Sequence, residues 1–242
     1  MIQVIQAKDI HYDDPILFLH IQKTAGTSYR MLLVSLYGGQ HVLNRYTKEE
    51  SIEGHETFSD YKILTGHLRM SYGLYEYVTW PVVHITIFRE PVERMISHYY
   101  FGKSRKDMWW HDIARRNTIE HCVENNLMGV NNLLCYSLST IPENTNPSIE
   151  AVFESAKHSL ENSFSMFGFN DLFFEFIAMS ARRFGWPGPL KIENEAHQTV
   201  RLSKKMVPEK TLDVIKQYNS YDMELYDYAR KIYEEKRLEW LR

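Results

Sequence analysis

Short, dense apolar runs alternate along the chain with longer segments in which apolar positions recur every three or four residues. Residues 16–21 (ILFLHI) are almost unbroken apolar sequence bounded by Pro15 and the polar Gln22-Lys23-Thr24, the pattern of a parallel strand buried on both faces. Residues 29–37 are nearly all apolar, Thr27 or Ser28 is placed to cap their start, and Gly38-Gly39 stop them, so a helix follows the strand across a short loop. Residues 61–65 predict a short strand that runs into Gly66-His67-Leu68-Arg69. Residues 80–88 (WPVVHITIF), rich in β-branched side chains, predict a second well-buried strand that ends at Arg89. Pro91 suits the first turn of a helix whose core stripe is Val92, Met95, Ile96 and Tyr99, with Arg94 and Ser97 off that stripe.

Beyond it, residues 103–117 read as irregular and locally basic around Trp109-Trp110, and Thr118 caps a helix that carries Ile119, Cys122 and Val123. Residues 127–138 continue as helix or broken helix, and residues 139–148, with Pro142 and Pro147, form a loop. The stripe Ile149, Val152, Phe153, Ala156, Leu160 predicts an amphipathic helix. A further strand spans 164–169, capped by Asn170-Asp171 into a helix over 172–184 that Gly185 and Pro187 break. Residues 191–205 are polar and basic, and two further helices follow Pro208. Residues 1–14 are a lead-in and 39–60 a polar connection.

Strands alternating with helices in 242 residues, 44% of them hydrophobic, predict a single α/β domain over 1–242. A formal charge of −3 argues against a general nucleic-acid binder and requires any anion site to be local. Lys8, Asp9, Asp13 and Asp14 interrupt the first residues, and no apolar run approaches the roughly 18 residues of a membrane span, so the expectation is a cytoplasmic protein without a membrane span. Cys122 and Cys135 lack metal-site spacing, which predicts buried thiols, no disulfide and no metal.

Chemistry concentrates where strands end. Lys23, Thr24, Ala25, Gly26, Thr27 and Ser28 join the first strand to its helix, a composition suited to an anion because helix-start N–H groups, a glycine and an ammonium converge. Lys23 precedes Gly26, which is the wrong order for a nucleoside-triphosphatase loop, and spacing alone leaves both a phosphate cradle and an ordinary capped turn open. His67 and Arg89 stand just past the ends of two other strands, at the sheet edge where open α/β folds carry their ligands. Trp109-Trp110 with the surrounding lysines and arginines fits either a platform for a sugar or aromatic packing under a solvated face.

HIQKTAGTS at 20–28, GH at 66–67, FREPVERMISHYY at 88–100, and KKMVPEKT with DMELYDYA near the end together resemble the sulfotransferases that use 3′-phosphoadenosine 5′-phosphosulfate (PAPS), most like the heparan-sulfate 2-O-sulfotransferase type. The resemblance implies a P-loop-type three-layer α/β/α fold with a mainly parallel central sheet. It implies that residues 23–28 cradle the 5′-phosphosulfate, that Arg89 and Ser97 hold the 3′-phosphate, and that Ser203 and Lys204 belong to a stretch closing over the nucleotide. His67 matches the base and Lys23 the cation beside the departing phosphate, with PAP (3′,5′-bisphosphoadenosine) as product and a hydroxyl, favoured as a carbohydrate's, as acceptor. Thr65 stands where heparan-type enzymes carry a further histidine, and the family's asparagine-threonine-arginine segment reads NLMGV at 126–130. His20, His84, His98 and Arg94 are expected to be structural. The rival functions are an ATP-dependent kinase of the same superfold, for which Glu90 would have to hold magnesium, and a non-catalytic nucleotide-binding protein.

Overall fold

The computed structural model describes residues 2–190 and 204–241. Five strands, β1 (Ile16–Leu19), β2 (Val42–Arg45), β3 (Ile63–Gly66), β4 (Val83–Phe88) and β5 (Met166–Phe169), form one sheet in the order β2-β3-β1-β4-β5, and every neighbouring pair is parallel. Parallel neighbours need crossovers, and helices supply most of them. Helix α1 (Gly26–Tyr37) joins β1 to β2, and α2 (Leu74–Tyr77) lies between β3 and β4. Between β4 and β5 come α3 (Pro91–Ser104), α4 (His111–Arg116), α5 (Ile119–Glu124), α6 (Leu133–Leu138) and α7 (Ile149–Asn162). After β5 follow α8 (Phe173–Phe184), α9 (Glu209–Tyr218) and α10 (Ser220–Trp240). The fold is α/β with a parallel central sheet flanked by helices, as the sequence pattern predicts.

Alternation along the strands assigns the faces. Phe18 meets Tyr29 of α1, and Gly168 leaves room for Phe176 of α8, so α1 and α8 cover one face; the Tyr29 hydroxyl donates to Ser180 at 2.9 Å and ties the two helices. Phe167 and Phe169 point the other way, onto Tyr233 of α10. Strands β1 and β4 are buried along their whole length, which is why their sequences run apolar without alternation. From β1 the chain leaves toward β2, whereas from β3 it crosses to β4 on the opposite side, so the crevice at the carboxyl ends of β3, β1 and β4 is the switch point of the sheet.

Two expectations need correction. Residues 39–60 are more than a connection, because Val42–Arg45 pairs with β3 as the edge strand; it is four residues long and only Leu43 is buried, so no apolar run marks it. Arg94 and Ser97 lie off the predicted stripe of α3 yet are buried, at 0% and 7% exposure, because α3 packs against α4, α9 and α10 as well as the sheet side. In the lead-in, Val4 pairs with Val82 in an isolated parallel bridge, and Ile5 N–H donates to Val82 at 2.9 Å. Cys122 and Cys135 are buried free thiols. No helix among the described residues is long and apolar enough to cross a membrane.

Arg94 is the hub of the second layer. Its Nη2 donates to the Val130 carbonyl at 2.8 Å and lies 3.8 Å from Oδ2 of Asp222 on α10, which is equally buried. Asp222 also accepts the N–H groups of Leu134 and Cys135 at 3.0 and 2.9 Å, capping α6 from another helix. Burial pushes the Asp222 carboxyl upward and Arg94 downward, and the opposite charge restrains each. Replacing Arg94 by methionine strands a buried carboxylate and is expected to cost about 3–5 kcal/mol in urea unfolding. Adding Asp222→Asn to that variant is expected to recover part of the loss, because the amide keeps an acceptor for α6 without the charge.

Candidate functional site

The loop from β1 to α1 is built on two residues with left-handed backbone, Lys23 (φ 68°) and Ala25 (φ 74°). Between them Thr24 is buried, its hydroxyl donating to the Ile21 carbonyl at 2.8 Å. The left-handed turn at Ala25 starts α1 at Gly26, three residues before the sequence predicts, and no side chain caps it. Thr27 and Ser28 therefore stand inside the first turn instead of before it, and the helix-start N–H groups are left to a ligand or solvent. A Cβ at position 26 would lie 1.9 Å from Cδ2 of His20, so this backbone accepts only glycine while the imidazole rests on it.

The end of β4 meets that loop. Arg89 Nη1 donates to the Lys23 carbonyl at 3.3 Å, so the guanidinium at the start of α3 and the loop before α1 share one corner. Beside it, Glu90 Oε2 accepts the Glu93 N–H at 2.7 Å as the cap of α3, and Glu90 Oε1 accepts from Lys204 Nζ at 2.9 Å. Lys204 is thereby joined to the Arg89 corner, whereas Ser203 lies outside the described residues. Ser97 sits on α3, two turns on. The ammonium of Lys23 lies 3.4 Å from the centroid of the Phe101 ring, also on α3.

His67 follows β3, the strand beside β1, and the His20 N–H donating to the Gly66 carbonyl at 3.0 Å fastens the two strand ends together. Its ring packs edge-on against His20, centroids 4.6 Å apart, and against Tyr46 at 5.2 Å. Burial first, then the charges of Lys23 and Arg30, lower its pKa to about 4. At neutral pH it is an uncharged imidazole, able to accept a proton.

Several neighbours of the site are not singled out as site residues by the sequence. His20 seals Gly26 and faces His67; Arg30 and Tyr46 lie near the same imidazole; Phe101 holds Lys23. His98 is 1% exposed and stacks on Trp110 at 4.5 Å, with neither ring nitrogen hydrogen-bonded among the described residues. The tryptophan pair divides: Trp110 packs under α3, while Trp109 is 67% exposed. His84 is committed to structure, bonded to the Ser163 carbonyl and to Tyr75 Oη. The one spacing that reaches these residues is Arg94-His98-Phe101, a single face of α3.

A lysine-bearing loop, an arginine and a histidine thus stand at the ends of three adjacent strands of a parallel sheet. The family model described as Sulfotransferase family matches residues 8–229, and the chain belongs to that family. No curated protein matches the chain. Membership makes the protein a transferase of sulfuryl groups, with a hydroxyl-bearing acceptor the suggested class.

Burial lowers the pKa of His20, His67, His84 and His98, to about 4 for His67 and about 3 for His84. The unfolded chain binds protons at these positions near pH 6.5, and the folded chain does not. Stability is therefore expected to be level above about pH 6.5 and to fall as pH drops toward 4, by about 1.4 kcal/mol per pH unit for each histidine, in urea midpoints measured across that window.

Proposed function

We propose that the chain acts as one PAPS-dependent sulfotransferase domain, moving a sulfuryl group to an acceptor hydroxyl with His67 as base. The observation that carries this is the convergence of the β1–α1 loop, Arg89 and His67 at the ends of three adjacent strands, with Arg89 bonded to the Lys23 carbonyl. The uncapped start of α1 and the left-handed turns at Lys23 and Ala25 are chemically suited to phosphate oxygens. Residues 23–28 would hold the 5′-phosphosulfate of PAPS, and Arg89 with Ser97 the 3′-phosphate, while Ser203 and Lys204 are proposed as further nucleotide contacts on the resemblance alone. PAPS supplies the activated sulfuryl group, and PAP is left.

Each residue then has a task. Lys23 places positive charge beside the departing phosphate oxygen. His67, uncharged at neutral pH, takes the proton of the acceptor hydroxyl, and anionic phosphates at the loop offset the fields of Lys23 and Arg30 that hold its pKa down, making it a stronger base in the loaded site. Placement and charge supply most of the rate, as in phosphoryl transfer. A carbohydrate acceptor follows from the resemblance to the heparan-type branch. A kinase would need a carboxylate near the phosphates for magnesium, and Glu90 is engaged in capping α3 and in binding Lys204.

In thermal denaturation, PAP at 100 times its Kd is expected to stabilise the protein by about 2.7 kcal/mol and ADP at the same concentration by much less. Arg89→Met is expected to abolish that preference; equal shifts by PAP and ADP in the unmodified protein would remove the 3′-phosphate assignment. His67→Gln is expected to lower turnover by roughly 10²–10⁴-fold while PAP affinity stays within about twofold, and a fully active variant would exclude His67 as the base.

A further inference from the structure

The proposed function gives His20 no task, yet its imidazole touches both the β1–α1 loop and the ring of the base. We infer that His20 is the positioning residue of His67: with nucleotide bound, His20 Nδ1 accepts one ring N–H of His67 and so aims the other nitrogen at the acceptor hydroxyl. The inference rests on the proposed role of His67 as base.

The ends of two strands bring the rings together. β1 and β3 pair in register at Leu19 and Gly66, the His20 N–H donates to the Gly66 carbonyl at 3.0 Å, and the two imidazoles meet edge-on with centroids 4.6 Å apart. The His20 ring is fixed on its other sides. It stacks on Phe18 at 5.6 Å with 6° between the planes, and a Cβ added at Gly26 would meet its Cδ2 and Nε2 first, at 1.9 and 2.3 Å. Nδ1, across the ring from those two atoms, is buried and has no hydrogen-bond partner among the described residues, in a side chain whose residue is 4% exposed. A phenylalanine would fill the same seat with no nitrogen to satisfy, so Nδ1 costs the fold stability unless the loaded site engages it. Of the two rings in contact with His20, Phe18 offers no polar atom and His67 offers two nitrogens.

The base is in need of such a partner. Among the described residues the His67 ring is flanked by exposed Tyr46 and buried His20 and held by no hydrogen bond. The outer torsion of a histidine is broad, so ring contacts alone leave open which nitrogen meets the hydroxyl. His20 is suited to accept a hydrogen bond without taking the proton itself, because burial and then the nearby His67, Arg30 and Lys23 keep it uncharged. In the transfer, the acceptor oxygen bonds to sulfur as the bond from sulfur to the phosphate oxygen breaks, that oxygen leaves with the bonding pair, and the hydroxyl proton passes to His67. The imidazolium then carries two N–H groups, one toward the new sulfate ester and one toward His20 Nδ1, until its added proton is released to solvent.

The test is an NMR titration of the imidazole nitrogens in the PAP-loaded protein, with His67→Gln identifying the His67 signals. In the unmodified protein a scalar coupling across the hydrogen bond is expected between a His67 nitrogen and His20 Nδ1. His20→Phe keeps the ring and the burial but removes the acceptor, so the His67 titration is expected to move to lower pH by about one unit, a tenfold loss of proton affinity, with PAP affinity within about twofold. His20→Asn, whose side-chain oxygen stands close to the place of Nδ1, is expected to return most of that shift although it packs less well. A packing role predicts the reverse order, phenylalanine matching histidine and asparagine departing from it. The other titratable and charged groups acting on these rings, Lys23 of the loop, Arg30 of α1, Tyr46 beyond β2 and His98 of α3, are the same in every variant. A His67 titration unmoved by His20→Phe overturns the inference, and so does a coupling from His20 Nδ1 to Arg30 or Lys23 instead of His67. If neither variant folds, the coupling in the unmodified protein decides, and its absence overturns the inference. Failure of PAP to bind the unmodified protein, or PAPS turnover unaffected by His67→Gln, counts against the proposed function itself; PAP binding beside an unmoved titration counts against His20 alone.

Discussion

A buried cation facing a buried carboxylate holds the half of the molecule that the sheet does not. Arg94 and Asp222 have no contact with solvent, and removing two charges from water is costly unless their remaining polar atoms are engaged. Asp222 takes two backbone N–H groups and Nη2 of Arg94 one carbonyl, whereas Nε and Nη1 of Arg94 have no hydrogen-bond partner among the described residues. Through Asp222 the long C-terminal helix grips the start of α6, and through Arg94 the helix that follows β4 grips the loop ahead of α6. A hydrophobic pair of equal volume would fill the space without fixing which carbonyl and which amides meet. The layer around α3 is therefore specified by hydrogen-bond direction as well as by packing.

That specification matters because the site is assembled from pieces distant in sequence. The β1–α1 loop is set by the sheet and by His20 lying on Gly26, while Arg89 is set by the helix that Arg94 anchors. The contact between Arg89 and the Lys23 carbonyl is where the two supports meet. Thr86, whose hydroxyl donates to the Leu19 carbonyl at 2.8 Å, stitches β1 to β4 just beneath it. At the third strand end, Gly66 (φ 148°) passes so close to β2 that a Cβ would lie 1.6 Å from the Arg45 carbonyl oxygen, which brings the edge strand and Tyr46 up against His67.

The sequence makes much of this legible, for identifiable reasons. β1, β4 and α7 are legible because a fully buried strand and a one-sided helix leave unmistakable periodicities. β2 is not, since an edge strand of four half-exposed residues has neither pattern. The start of α1 is misplaced because propensity favours a threonine or serine cap, and nothing local announces that Ala25 adopts a left-handed turn. The strand-end positions of Lys23, His67 and Arg89 are visible from motif and spacing, but the company they keep is tertiary. Phe101 and His98 sit on a face of α3 that a stripe analysis assigns to solvent or core.

The seat of the Lys23 ammonium on the Phe101 ring bears on energetics in a way its geometry alone does not state. A cation over an aromatic face is held by about 0.5–2 kcal/mol, depending on how far water is excluded. An anion that draws this ammonium off the ring binds with its intrinsic affinity less that grip. A benzene ring beside the β1–α1 loop thus lowers the measured affinity of any ligand that takes the ammonium away from it.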